Sequence, residues 1–130
     1  MTVPTRLDVR LRQLLILISA ATVISGALQL VAPGVVLRML DVERTTVSTQ
    51  LFATIGMFMV VVGGALLQAL LTRSHEPVLV FWAGVQKFLA SGAVIIGVGR
   101  GAFSPLGLTV ASFDFVSGIL VLWYWRRGLP

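Results

Sequence analysis

Four apolar stretches, each close to the length of a bilayer crossing, leave this chain few ways to fold. They run over about residues 14–31, 49–71, 77–99 and 106–125. A helix needs roughly 20 mostly apolar residues to cross the hydrocarbon of a membrane, so each stretch predicts one transmembrane helix. What is left of the 130 residues is short links. The composition agrees: 57% of residues are hydrophobic and 12% are charged, against about 25% charged in an ordinary soluble domain. The predicted fold class is all-α: an integral membrane up-down four-helix bundle, one domain over residues 1–130. Short links between the spans favour antiparallel neighbours.

The links carry helix punctuation. Pro33-Gly34 ends the first span, and Val35 to Met39 forms a short interfacial turn. Thr45 and Thr46 are suited to cap the second span, Ser74 with Pro77 to start the third, and Ser104-Pro105 to cap the fourth. A basic start and the small residues Ser25-Gly26-Ala27 also resemble a cleaved signal peptide. The apolar run continues past Ala27, which favours a retained helix.

The net charge of +5 would suggest nucleic acid in a soluble protein. Here the basic residues flank apolar runs and set orientation instead. Arg6, Arg10, Arg12, Arg73, Arg126 and Arg127 fall on the side of the termini, and Arg38, Arg44 and Arg100 on the other. Both termini are therefore expected in the cytoplasm, with Trp123-Tyr124-Trp125 at headgroup depth. The expected surroundings are the lipid bilayer of the cytoplasmic (inner) membrane, with no nucleic-acid partner.

Two ionisable residues lie within spans, Lys87 and Asp114. Each alone at mid-bilayer costs about 2.5–3.5 kcal/mol on insertion scales. Lys87 is ten residues in from Pro77 and Asp114 eleven residues before Trp125, so both sit about 15 Å from the same edge at the helical rise. The spacing predicts a buried Lys87–Asp114 pair between the third and fourth spans. Ala83, Gly84, Lys87, Ala90, Ser91 and Val94 form one small-residue face, and Gly107, Ala111, Asp114, Ser117, Gly118 and Val121 the other. Ser91 and Ser117 are possible polar supports. So is Gln86, although it points about 100° away from Lys87 around the helix. The pair either fixes helix register or serves as a proton relay, ion path or counter-ion.

Gly26 with Ser19, and Gly56 and Gly63 with Thr49, recur every seven residues. This is a packing seam, to which Gly107 and Gly118 add close approach on the fourth span. Gln29, Gln50 and Gln68 lie near span ends and suit interhelical or headgroup hydrogen bonds. Met57, Phe58 and Met59, with Phe113 and Phe115, are either packing residues or the walls of a hydrophobic pocket.

Several chemistries are excluded. The chain has no cysteine and a single histidine, His75, in a link, so thiolate chemistry, histidine-ligated haem within the membrane and a serine–histidine site all lack their residues. Gly97-Val98-Gly99-Arg100-Gly101 follows a membrane helix and not a strand, which removes a nucleotide-loop reading. No catalytic set, metal site or cofactor is expected.

The layout resembles small four-span bacterial membrane proteins of the DoxX-like kind. The likeness lies in a first span ending near proline and an arginine-containing segment (Pro33 to Met39) and a glycine-rich second span. A basic residue within the third span (Trp82 to Lys87) and an aspartate in the fourth (Phe113-Asp114-Phe115) complete it. The four-span layout is also similar to eukaryotic sterol-pathway scaffold proteins. Both resemblances imply an accessory or scaffold subunit that binds other membrane proteins, itself or lipids. The alternatives are an oligomeric transporter or channel using Lys87 and Asp114, and a binder of a quinone, carotenoid or sterol.

Overall fold

The computed structural model describes residues 3–130, and the first two residues of the expected 1–130 domain lie outside them. Five helices follow one another: α1 (Arg6–Val31), α2 (Pro33–Met39), α3 (Thr46–Thr72), α4 (Pro77–Gly99) and α5 (Gly107–Arg126). No strand occurs among the described residues. The chain is thus all-helical, and α1, α3, α4 and α5 are each long and apolar enough to cross a membrane. Even α5, the shortest of these with 20 residues, reaches about 30 Å, the thickness of a bilayer's hydrocarbon. Large apolar side chains such as Leu17, Ile24, Phe58, Leu89, Ile96 and Phe115 remain exposed along these helices. Such surface points to a membrane protein.

Local chemistry sets the helix ends. α1 starts eight residues before the expected span, because Thr5 and Asp8 form a capping box. The Asp8 amide donates to Thr5 Oγ1 at 3.2 Å, and the Thr5 amide donates to Asp8 Oδ2 at 2.8 Å. Thr45 caps α3 in the same way with Ser48, while Thr46 is already the first helical residue. The expected turn over Val35 to Met39 is the helix α2, which Pro33 opens. α3 closes on Arg73 in the left-handed region, φ 54°.

Two expected caps are corrected. Ser104 does not cap α5, which starts at Gly107 with Leu106 before it. The Ser104 amide instead donates to the Leu40 carbonyl at 3.0 Å, and residues 104–109 make tight turns. Ser74 does not cap α4 either. Its hydroxyl donates to Glu76 Oε1 at 2.8 Å, and Pro77 opens the helix with no side-chain cap.

The long helices associate as two pairs. α1 packs chiefly on α3 and α4 chiefly on α5, with slimmer contacts of α1 on α5 and α3 on α4. Within the first pair, Gly26 and Gly56 bring backbones together: a Cβ on Gly56 would lie 2.6 Å from the Gly26 carbonyl oxygen. Within the second, Gly84 and Gly118 admit Leu122 and Phe88 respectively, and Gly107 lies against Val94 and Val98.

Between the pairs, the apolar core gathers at the end that carries both described termini. Leu11 and Leu15, Leu66 and Leu70, Val80, and Val121 with Tyr124 meet there, so all four long helices contribute. Polar groups reinforce this end. Arg127 Nε donates to Asp8 Oδ1, tying the end of α5 to the start of α1. Arg12 Nε donates to the Leu70 carbonyl at 2.9 Å, linking α1 to the last turns of α3. At the opposite end the Ser104–Leu40 bond joins the two links, and an edge-on Phe52–Phe103 contact sets α3 against the α4–α5 link.

The glycine contacts generate a paired prediction. Gly56→Ala forces two backbones apart and is expected to cost about 1–3 kcal/mol, the range for overpacking. Gly64→Ala, where an added Cβ meets nothing within 4 Å, is expected to be neutral or stabilising by up to about 1 kcal/mol. Thermal unfolding of both variants in one detergent checks this, and equal behaviour would contradict the close contact.

Candidate functional site

Midway along the helical bundle, polar side chains from three helices meet at Lys87. α4 places Lys87 ten residues, nearly three turns, from its start, with the side chain turned inward and 5% of the residue exposed. Its Nζ lies 3.0 Å from Asp114 Oδ1 on α5. It also donates to Thr22 Oγ1 on α1 at 2.9 Å, and it sits 5.3 Å from the centroid of the Phe113 ring, within the range of a cation–π contact. The Thr22 hydroxyl accepts from Lys87 and donates its own proton to the Ile18 carbonyl at 3.0 Å. One ammonium thus joins three helices and both helix pairs.

Small residues make this approach possible. Ala83, Gly84 and Ser91 on α4 are buried, as are Gly107, Ala111, Ser117, Gly118 and Val121 on α5. Ala90, Val94 and Asp114 are half-buried on the same faces. Ser91 donates to the Ala111 carbonyl at 2.8 Å, a second polar stitch one turn from the ion pair. Ser117 is buried in the α4–α5 seam. Gln86 is half-buried and lines the same small cavity as Lys87, together with Ser19 and Thr22, although sequence spacing turns it away from Lys87.

Gly26, Gly56 and Gly63 lie on the α1–α3 seam, with Gly63 facing Thr22. Thr49 and Gln50 line an open recess with Leu30, Pro33 and Arg44 at the far end. Gln29 is buried and Gln68 exposed. Met57 and Phe58 are exposed on α3, and Phe113 and Phe115 on α5 in the other helix pair. These aromatics and methionines are therefore not gathered into one pocket.

Sequence reasoning missed Thr22 and Asp8. Thr22 is one helical turn from Ser19 and from Gly26, and that shared face was its signal. Asp8 follows Thr5 at the spacing of a capping box, a pattern able to reveal both the helix start and the acid. Arg127 and Arg12 carry structural contacts in addition to any role in orientation.

Comparison with known proteins returns no match: no family model fits the chain, and no curated protein or solved structure is similar to it.

The Lys87 geometry predicts strong coupling. Asp114→Ala strands a buried ammonium and is expected to destabilise by about 3–5 kcal/mol. The double change Lys87→Met with Asp114→Leu removes both charges and should recover most of that loss. Unfolding midpoints of the parent, the single and the double variant in detergent measure this, and additive losses would disprove the coupling.

Proposed function

We propose that this is an integral protein of the cytoplasmic membrane, an up-down bundle of four transmembrane helices with both termini in the cytoplasm. We propose further that it serves as an accessory or scaffold subunit, holding other membrane proteins or lipids against its outward helical faces. The observation that carries this reading is how the embedded charge is used. Lys87 is neutralised by Asp114 and hydrogen-bonded by Thr22 between the two helix pairs, so it supports the bundle itself. The outward faces of all four long helices remain apolar and exposed. The likeness in layout to DoxX-like proteins fits the same role.

A second reading is an oligomeric transporter or channel. It is favoured by Asp114, whose side chain keeps 16% of its surface accessible and so borders both the ion pair and the outside of the bundle.

Orientation is tested with single cysteines, since the chain has none. Arg100→Cys is expected to react with an impermeant maleimide in intact spheroplasts, and Arg73→Cys only after permeabilisation. The reverse pattern overturns the proposed topology. The accessory role is tested by chemical cross-linking in native membrane followed by purification in mild detergent. A partner recovered at a fixed ratio is expected, and a chain that always runs alone contradicts the role. Ion flux in proteoliposomes that Asp114→Asn abolishes would move the assignment to transport.

A further inference from the structure

Beside Lys87, three unspent polar groups border a single small space. Ser19 Oγ, on a residue only 1% exposed, is the one buried side-chain oxygen or nitrogen without a hydrogen-bond partner among the described residues. Thr22, one turn along, satisfies itself on the Ile18 carbonyl and accepts from Lys87, but Ser19 makes no such bond. An ammonium carries three N–H donors. Asp114 and Thr22 take two of those of Lys87, which leaves the third. Ser19, Thr22, Gln86 and Lys87 line one cavity of about 10 Å³, with Val62 and Leu66 on its apolar side. Gly63 on α3 keeps that wall free of a side chain.

We propose that this cavity is a binding site for one water molecule, which bridges Ser19 Oγ to Lys87 Nζ at mid-height between the two helix pairs. The size suits a single water, which needs about 10–15 Å³ of accessible space and two to four polar partners. The Ser19 hydroxyl, the third Lys87 N–H and the Gln86 amide supply those partners. Charge selects against other occupants. A cation meets the Lys87 ammonium, and an anion finds that ammonium already neutralised by Asp114 in a space too small for any polyatomic ion. A buried hydroxyl left unpaired is costly, so a bridging water stabilises the site as well as fitting it. The bound water extends the Lys87 contacts to Ser19, a second group on α1. This inference does not depend on what the outer faces bind.

Lys87 is the only lysine in the chain, so labelling with Nζ-¹⁵N lysine gives a single ammonium resonance. The full chain is reconstituted in liposomes, and polarisation transfer from water protons to that resonance is recorded by solid-state NMR. Transfer to Lys87 is expected in the parent protein. Ser19→Val places methyl groups in the cavity and removes the hydroxyl, so loss of transfer is expected. Ser19→Ala adds no bulk and is expected to weaken it. Ser112→Val, on the exposed face of α5, is expected to leave it unchanged. Absence of transfer in the parent overturns the proposal without any variant. Transfer that persists undiminished in Ser19→Val or Ser19→Ala also overturns it, because the water then reaches Lys87 from the Asp114 side.

Discussion

The ammonium of Lys87 is held by both helix pairs at once, midway along the bundle. A lysine in hydrocarbon surroundings is costly alone; its own helix pair neutralises the charge, and the other pair adds a hydrogen bond. α5 supplies the carboxylate of Asp114 at 3.0 Å, and α1 supplies the hydroxyl of Thr22 at 2.9 Å. The glycine contacts at Gly26, Gly56, Gly84 and Gly118 act within pairs. They give close packing but do not specify how one pair faces the other. A charge with directional partners does so, since a rotation of α4 by one residue turns Lys87 about 100° away from both of them. Burying an ion pair is often no more stabilising than burying apolar groups of the same shape. The gain here lies in fixing one arrangement among several that apolar surfaces alone would tolerate.

The remaining inter-pair contacts are divided by chemistry along the helices. Near the described termini, Leu15, Leu70, Val121 and Tyr124 are almost fully buried, and the Asp8–Arg127 ion pair ties α1 to the end of α5 beside that core. Toward the other end the α4–α5 link makes the join, through the Ser104 amide on Leu40 and the Phe103 ring against Phe52 of α3. Lys87 lies between the two zones, where α1, α4 and α5 would otherwise present only small or apolar residues to each other.

Much of this was legible in the sequence, because the strongest constraints were periodic and long. Twenty-residue apolar runs announce spans, and a count along each helix puts Lys87 and Asp114 at one depth. Thr22 was harder to see. A threonine in a helix commonly bonds its own backbone, and Thr22 does this as well as accepting from Lys87. Asp8 was hidden by its setting, a polar basic leader that reads as headgroup contact. Only the capping relation with Thr5 and the distant Arg127 bury it. Gln86 was legible as a possible support, although the spacing turns it about 100° from Lys87, and it lines the same cavity. The caps at Ser74 and Ser104 failed for different reasons: the Ser74 side chain found Glu76 two residues on, and the Ser104 amide found Leu40 across the fold.

The order of the Lys87 partners along the chain bears on how the protein is made. Thr22 precedes Lys87 by 65 residues, and Asp114 follows it by 27. If the helices enter the bilayer as proposed, a ribosome delivers α4 before the carboxylate that neutralises it exists. The insertion machinery then receives a helix carrying an uncompensated cation, at about 2.5–3.5 kcal/mol, with one hydroxyl as its only polar partner already in place. The brief link over residues 100–106 keeps that interval short. α4 and α5 are accordingly a unit of biogenesis as well as of packing, a hairpin whose second arm completes the electrostatics of the first.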